Sequence, residues 1–74
     1  MSKNDIDEMQ RFLGALVRSG GHASRKFLPR SSNAQDRVRQ LAKYLGWAKY
    51  SNGEWHITNA GRTAHLARTE GGQG

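Results

Sequence analysis

The chain contains no cysteine, so neither a disulfide nor a thiolate metal site can stabilise it. Its only proline is Pro29, and no uninterrupted apolar run is longer than a few residues. A membrane-spanning helix needs about 20 mostly apolar residues, so we expect neither a membrane span nor a signal peptide. These absences favour a reducing, cytosolic setting, with no membrane partner.

Length and apolar content limit the chain to one small domain. The 74 residues are 35% hydrophobic, which is enough for one thin core but not for a roomy substrate cleft. His22, His56 and His65 have no metal-ligand spacing, and no acidic cluster accompanies them. Neither a nucleophile with a paired base nor a glycine-rich phosphate loop is recognisable. We therefore expect a protein that is not an enzyme and that carries no metal or cofactor.

Acidic residues are scarce, because 6 Asp and Glu stand against 12 Lys and Arg, for a net charge of +6. Residues 1–24 and 50–74 are each neutral, so the whole surplus lies in the middle of the chain. That stretch contains one acid, Asp36, and seven basic residues: Arg25, Lys26, Arg30, Arg37, Arg39, Lys43 and Lys49. A positive surplus concentrated in one block favours a polyanionic partner over an ordinary solvated surface.

Residues 5–18 have the apolar spacing of an amphipathic helix. Asn4 or Asp5 is the predicted N-cap, and Gly20-Gly21 is the predicted stop. The apolar face contains Ile6, Met9, Phe12, Leu13, Leu16 and Val17. We expect this helix to supply much of the core.

A second helix of one or two turns is predicted after Ser24, and it is expected to bury Phe27 and Leu28. Pro29 ends it, because the residue before a proline is disfavoured in helical conformation.

A third helix is predicted to start at Ser31 or Ser32 and to end at Gly46, because Ser32 and Gln35 match a capping box. Its apolar stripe contains Ala34, Val38, Leu41, Ala42 and Leu45. The opposite face contains Asn33, Asp36, Gln40 and Lys43, with Ser32, Arg37 and Arg39 on the flanks. Asp36 is expected first to pair with Arg39 or Gln40, and the alternative is that it accepts a hydrogen bond from a cytosine amino group.

Two alternating runs, WAKYS and EWHIT, are joined by Asn52-Gly53, which predicts a hairpin with a two-residue type I′ turn. The predicted pairs are Ser51 with Glu54, Tyr50 with Trp55, Lys49 with His56 and Ala48 with Ile57. Tyr50 and Trp55 then share the apolar face, so core packing is favoured over base stacking for both. Trp47 receives no predicted role.

Thr58 or Asn59 is the predicted cap of a last helix over Ala60–Arg68, with Ala64, Leu66 and Ala67 as its apolar contacts. Gly61 weakens this helix by roughly 1 kcal/mol relative to Ala. We expect one domain over residues 5–68, a flexible N-terminus at 1–4 and a disordered tail at 69–74.

The blocks SSNAQDRVRQLAKYLGWAKY and EWHITNAGRTAHL resemble the winged helix-turn-helix family. The first is similar to a recognition helix that runs into the first wing strand, and the second to the other wing strand and the following helix. The expected fold class is therefore mainly α with a small antiparallel β-hairpin. The pattern NGEWHITNAGRTAHL is also similar to the C-terminal half of a small DNA-binding protein that T7-like phages make to help shut down host transcription, whereas the N-terminal half differs.

The winged-helix resemblance implies that the third helix enters a major groove while the short helix and the wing follow phosphates. The residue types agree, since Asn and Gln pair with adenine and Arg pairs with guanine, whereas flexible cations suit phosphates. The base-reading candidates are Ser32, Asn33, Arg37, Arg39 and Gln40. The backbone candidates are Arg25, Lys26, Arg30, Lys43, Lys49 and, at the wing tip, Asn52.

We therefore expect a double-stranded DNA-binding protein that is either a transcriptional regulator or a non-specific DNA coater. The alternative is a small phage protein that docks on a host enzyme such as RNA polymerase, with RNA or single-strand binding third. Pairing with a second copy of the chain through the apolar stripe of the first helix stays open.

Overall fold

The computed structural model describes residues 2–71 and the side chains of residues 2–67. In chain order the elements are α1 (Lys3–Arg18), β1 (His22–Ala23), a 3₁₀ helix (Arg25–Phe27), α2 (Asn33–Leu45), β2 (Ala48–Ser51), β3 (Glu54–Ile57) and α3 (Asn59–Gly71). The fold is mainly helical, as predicted. Its antiparallel sheet has three strands in the order β1-β3-β2, whereas the sequence predicts a two-stranded hairpin. None of the helices in residues 2–71 combines the length and the apolar character needed to cross a membrane.

The first helix begins earlier than its apolar pattern suggests. Ser2 is the N-cap, and its hydroxyl accepts a hydrogen bond from the Asp5 amide at 3.1 Å. The prediction of Asn4 or Asp5 as the cap is therefore wrong, because an N-cap serine satisfies the first-turn amides and lets the helix start at Lys3. The inward face is largely as expected, with Met9, Phe12, Leu13 and Leu16 fully buried and Val17 exposed.

The predicted third helix is α2, and both of its ends agree with the sequence. Ser32 caps the start by accepting a hydrogen bond from the Gln35 amide at 3.0 Å. Gly46 ends the helix in the left-handed conformation, with φ of 78°, which glycine adopts readily. The Gln35 side chain does not complete a capping box, because it is directed towards α1 instead.

The hairpin forms in the predicted register, with Ala48 opposite Ile57, Lys49 opposite His56, Tyr50 opposite Trp55 and Ser51 opposite Glu54. Asn52 and Gly53 both have positive φ, at 53° and 77°, as a type I′ turn requires. The extra strand β1 pairs with β3 and places His22 opposite His56. Because β1 has only two residues, it has no alternation for sequence reasoning to detect.

The last helix begins at Asn59 under a Thr58 cap, whose hydroxyl accepts a hydrogen bond from the Gly61 amide at 3.1 Å. It continues to Gly71, beyond the predicted end at Arg68, and residues 72–74 of the predicted tail lie outside the described part. Leu66 and Ala67 are exposed, so the prediction that they make core contacts is wrong.

Packing explains the glycine at position 61, which helix propensity alone would disfavour. A Cβ atom at this position would overlap the main-chain carbonyl of Trp47 and the side chain of Ile57. The missing side chain therefore lets α3 approach the segment that leads into β2. Trp47, which had no predicted role, is partly buried against the core at this contact.

The core is built between α1, α2 and the sheet around Phe12. The Phe12 ring meets Trp55 edge-on, with the ring centroids 5.3 Å apart and the planes at 89°. Trp55 is buried as predicted, whereas Tyr50 beside it is exposed, so the prediction of core packing is wrong for Tyr50.

Phe27 also lies outside the core, with 70% of its surface exposed, whereas Leu28 is buried as expected. The segment forms a single 3₁₀ turn rather than an α-helix. Leu28 follows this turn in an extended conformation, with φ of −102° and ψ of 163°, and its side chain reaches the core while that of Phe27 does not.

Candidate nucleic-acid interface

One face of α2 is open to solvent along its whole length. Asn33, Asp36, Arg37, Gln40 and Lys43 are all exposed, as the helical arrangement predicts. Tyr44 belongs to the same face, with 86% of its surface exposed, although the sequence reasoning missed it. Its position, four residues after Gln40 and seven after Arg37, was the signal that could have found it. The exposed face of α2 therefore combines amide, cationic and aromatic side chains.

Arg39 is the clearest departure from the expected site, because only 6% of its surface is exposed. Its Nε donates to Gln35 Oε1 at 3.2 Å, and its Nη2 donates to the Pro29 carbonyl at 2.7 Å. Burial lowers the pKa of Arg39, and the nearby charge of Asp36 opposes that shift. The prediction of Arg39 as an outward flank residue is therefore wrong: its hydrogen bonds are to the protein.

Asp36 consequently does not have the partner expected for it. Arg39 is directed to Gln35 and Pro29, and among residues 2–67 no hydrogen bond or ion pair joins Asp36 to Arg39 or Gln40. Asp36 stays exposed beside the cationic groups of this surface.

Gln35 links the buried side of α2 to α1. Its Nε2 donates to the main-chain carbonyl of Glu8 at 2.9 Å and to Glu8 Oε1 at 2.7 Å. Arg39 donates to the Oε1 of the same amide, so donor and acceptor are both used. This network fixes α2 against α1 and so positions its exposed face. Its position three residues before Val38 and seven before Ala42, on the side of the apolar stripe, was the available signal that Gln35 is buried.

A groove runs between the 3₁₀ helix, α2 and the tip of the hairpin. Its lining brings together the phosphate candidates Arg25 and Lys26, the base-reading candidate Gln40 and the exposed Tyr50. The full lining is Ser24, Arg25, Lys26, Ser31, Asp36, Arg39, Gln40, Tyr50, Gly53 and Trp55. The groove therefore combines cationic side chains with the amide of Gln40 and the carboxylate of Asp36.

Two of the predicted phosphate ligands, Lys49 and Arg30, do not line this groove. Lys49 is exposed beside His56 on the sheet face opposite Tyr50, because alternate strand residues face opposite ways. Arg30 is exposed and lines a separate groove with Arg11 and Arg18. Ser32 and Asn52 are exposed at the start of α2 and at the hairpin turn. The surplus charge is therefore spread over more than one surface.

Arg37 forms an ion pair with Asp5 of α1, with 2.9 Å between Nη2 and Oδ1. The hydrogen bond from Arg37 lowers the pKa of Asp5, and the same bond raises the pKa of Arg37. The sequence reasoning did not connect these residues, which lie 32 positions apart.

The histidines do not assemble into a metal centre in the part of the chain that the structure describes. His22 and His56 stack across strands with ring centroids 5.7 Å apart, and His22 Nδ1 lies 3.3 Å from Glu54 Oε1. His65 contacts Gln10 between α3 and α1 at 3.0 Å.

No protein-family model matches the chain, and the searches of curated proteins and of solved structures found no match either. The function must therefore be inferred from the residues and their arrangement.

Proposed function

We propose that the chain is a winged-helix protein that binds double-stranded DNA, with α2 in the major groove. The observation that carries this proposal is the exposed face of α2, where Asn33, Arg37 and Gln40 lie in one row. An α-helix fits the major groove, and these side chains match the hydrogen-bonding edges of adenine and guanine. The order of the elements, with a hairpin after the polar-faced helix, also supports it.

The phosphate contacts in this proposal come from the cations around that face. Arg25 and Lys26 line the groove beside Gln40, and Lys43 is exposed on α2. Gly53 lines the same groove, so the hairpin turn lies beside these cations, as a wing would. Contacts of such side chains with phosphates fix the register of a reading helix on the duplex. The chain would then act as a transcriptional regulator or as a DNA coater.

An NMR titration of the labelled protein with a short DNA duplex at two salt concentrations tests this function. We expect shifts in Arg25–Lys26, along the exposed face of α2 and at the hairpin turn, weaker at the higher salt. Absence of binding at low salt would refute DNA binding. Shifts confined to α1 and α3 would refute the proposed mode.

Docking on a protein is a second candidate function, and the exposure of Phe27 favours it. Phe27 adjoins a groove that also contains Arg11, Arg18 and Arg30. A large exposed aromatic residue among arginines is typical of protein interfaces. Retention of a host protein from nuclease-treated lysate, lost in Phe27→Ser and reproduced with the purified proteins, would support docking. Equal retention of that host protein by the wild type and by Phe27→Ser would contradict docking through Phe27.

Single-strand or RNA binding is a third candidate, because Tyr44 and Tyr50 are both exposed. Exposed aromatic rings are stacking platforms for unpaired bases. Competition between duplex and single strands separates this function from the first, since a winged helix prefers the duplex.

A further inference from the structure

The contact between Asp5 and Arg37 divides the basic residues of this surface into two kinds. The bond between Asp5 Oδ1 and Arg37 Nη2 measures 2.9 Å and uses one corner of the guanidinium. The Arg37 side chain is 58% exposed and that of Asp5 only 19%. Asp5 therefore contacts the guanidinium at one nitrogen, while more than half of the Arg37 side chain stays open to solvent and four further N–H donors remain for other partners.

Arg25, Lys26 and Lys43 have no comparable partner, because no ion pair among residues 2–67 involves them. Each of them offers a full positive charge to the solvent. Arg37 and Asp5 together have no net charge, so at a distance their attraction for a polyanion largely cancels.

Phosphate and base edges respond differently to such a pair. A phosphate bound by Arg37 would lie close to the Asp5 carboxylate, and the two anions would repel each other. The major-groove edge of guanine presents neutral acceptors, N7 and O6, which arginine binds with two hydrogen bonds. A neighbouring carboxylate does not repel these atoms as it repels a phosphate, and it restricts the arginine to fewer rotamers before binding.

We propose that Asp5 is a positioning residue that makes Arg37 a guanine reader and not a phosphate ligand. This inference rests on the proposed duplex-binding function. It assigns sequence specificity to the edge where α1 meets α2, and so favours a regulator over a coater.

The test combines base preference with salt dependence. The wild-type chain selects duplexes from a randomised pool, and its affinity for a selected duplex is then measured over a range of salt concentrations. The variants are Arg37→Gln, Asp5→Asn and Lys43→Gln, with Asp7→Asn as the matched control. Asp7 is an exposed acid on the same helix, and its replacement changes the net charge by the same amount as Asp5→Asn. Circular dichroism confirms that each variant is folded.

For Arg37→Gln we expect the preference for guanine at one position to fall about tenfold or more, with little change in the log–log salt slope. Lys43→Gln should instead lower that slope by about one unit and keep the preference. Asp5→Asn should weaken the guanine preference and steepen the slope, because the released Arg37 can bind a phosphate. Asp7→Asn should keep the guanine preference.

Three results would overturn the inference while duplex binding stands. They are a wild-type chain that selects no guanine, an Arg37→Gln variant that loses about one unit of slope with unchanged preference, and identical guanine preferences in the wild type and Asp5→Asn. A wild-type chain that binds no duplex at low salt would instead refute the proposed function itself.

Discussion

The guanidinium of Arg39 lies over the ring of Phe12, with its carbon 5.5 Å from the ring centroid. This contact joins the centre of the core to the floor of the groove beside α2. Arg39 belongs to the basic block of the sequence, yet it packs and donates inward. The number of cations in that block is therefore larger than the number available to a polyanion.

Arg39→Met should destabilise the fold by about 2 kcal/mol or more, because Gln35 Oε1 and the Pro29 carbonyl lose their donor. Urea unfolding measures the effect. Arg37→Met is the matched control on the same helix, and because its side chain is exposed the loss of unfolding free energy should be clearly smaller. Equal losses in the two variants would contradict the structural role of Arg39.

Gln35→Ala should cost about 2 kcal/mol of unfolding free energy, since the link to Glu8 and the acceptor for Arg39 both disappear. Gln40→Ala, at an exposed position of the same helix, should be close to neutral. Amide hydrogen exchange should also be faster at the start of α2 in Gln35→Ala. Unchanged exchange there would show that the network does not hold the helix in place.

Gly61→Ala should destabilise the protein by about 2 kcal/mol or more, because the new methyl group meets the Trp47 carbonyl. Gly14→Ala is the matched control, since Gly14 is also buried in a helix. Its nearest neighbours are the Arg18 guanidinium at 3.2 Å and the His65 ring at 3.4 Å, which are ends of flexible side chains. Thermal unfolding should therefore give a lower Tm for Gly61→Ala than for Gly14→Ala. A Gly61→Ala variant that is more stable than the wild type would contradict the prediction.

The Asp5–Arg37 pair should give the protein a pH-dependent contribution to stability. Because the hydrogen bond from Arg37 lowers the pKa of Asp5 in the folded state, the contribution is complete above the ordinary range of aspartate. It is lost as the pH falls through the lower pKa of the folded state. Carbon-detected NMR titration of the Asp5 carboxyl group should show a higher midpoint in Arg37→Gln than in the wild type. Equal midpoints would mean that the pair does not persist in solution.

Lys43→Ala should lower the log–log salt slope of duplex binding by about one unit if Lys43 contacts a phosphate. Arg62→Ala is the control, because Arg62 is exposed on α3 and lies outside the groove beside α2. The two variants have the same net charge at neutral pH, so a difference between their slopes reports position. Identical slopes would exclude a local contact of Lys43 with the backbone.

Sequence reasoning succeeds in this protein where local chemistry determines the structure. The Asn52-Gly53 turn and the alternation around it determine the register of the hairpin, and Ser32 and Gly46 determine the ends of α2. These features depend on neighbouring residues only, so they can be read without knowledge of the fold.

Prediction from the sequence fails for residues whose contact partners are distant in the chain. Arg39 is buried because the Pro29 carbonyl and Phe12 come from other segments, and Gly61 is required by the Trp47 carbonyl. The link between Asp5 and Arg37 likewise depends on how α1 crosses α2. Helical periodicity gives the direction of a side chain on its own helix, but not what another element places there.

The Thr58 hydroxyl donates to the Gly46 carbonyl at 2.5 Å while it also caps α3, and the Thr58 amide donates to the Trp47 carbonyl at 2.9 Å. The chain is thus closed on itself at the base of the hairpin, and the turn at Asn52-Gly53 lies at the far end. Residues inserted at the turn would therefore lengthen the β2–β3 hairpin without moving the helices. The length of the hairpin is thus a part of the fold that can change independently of the rest.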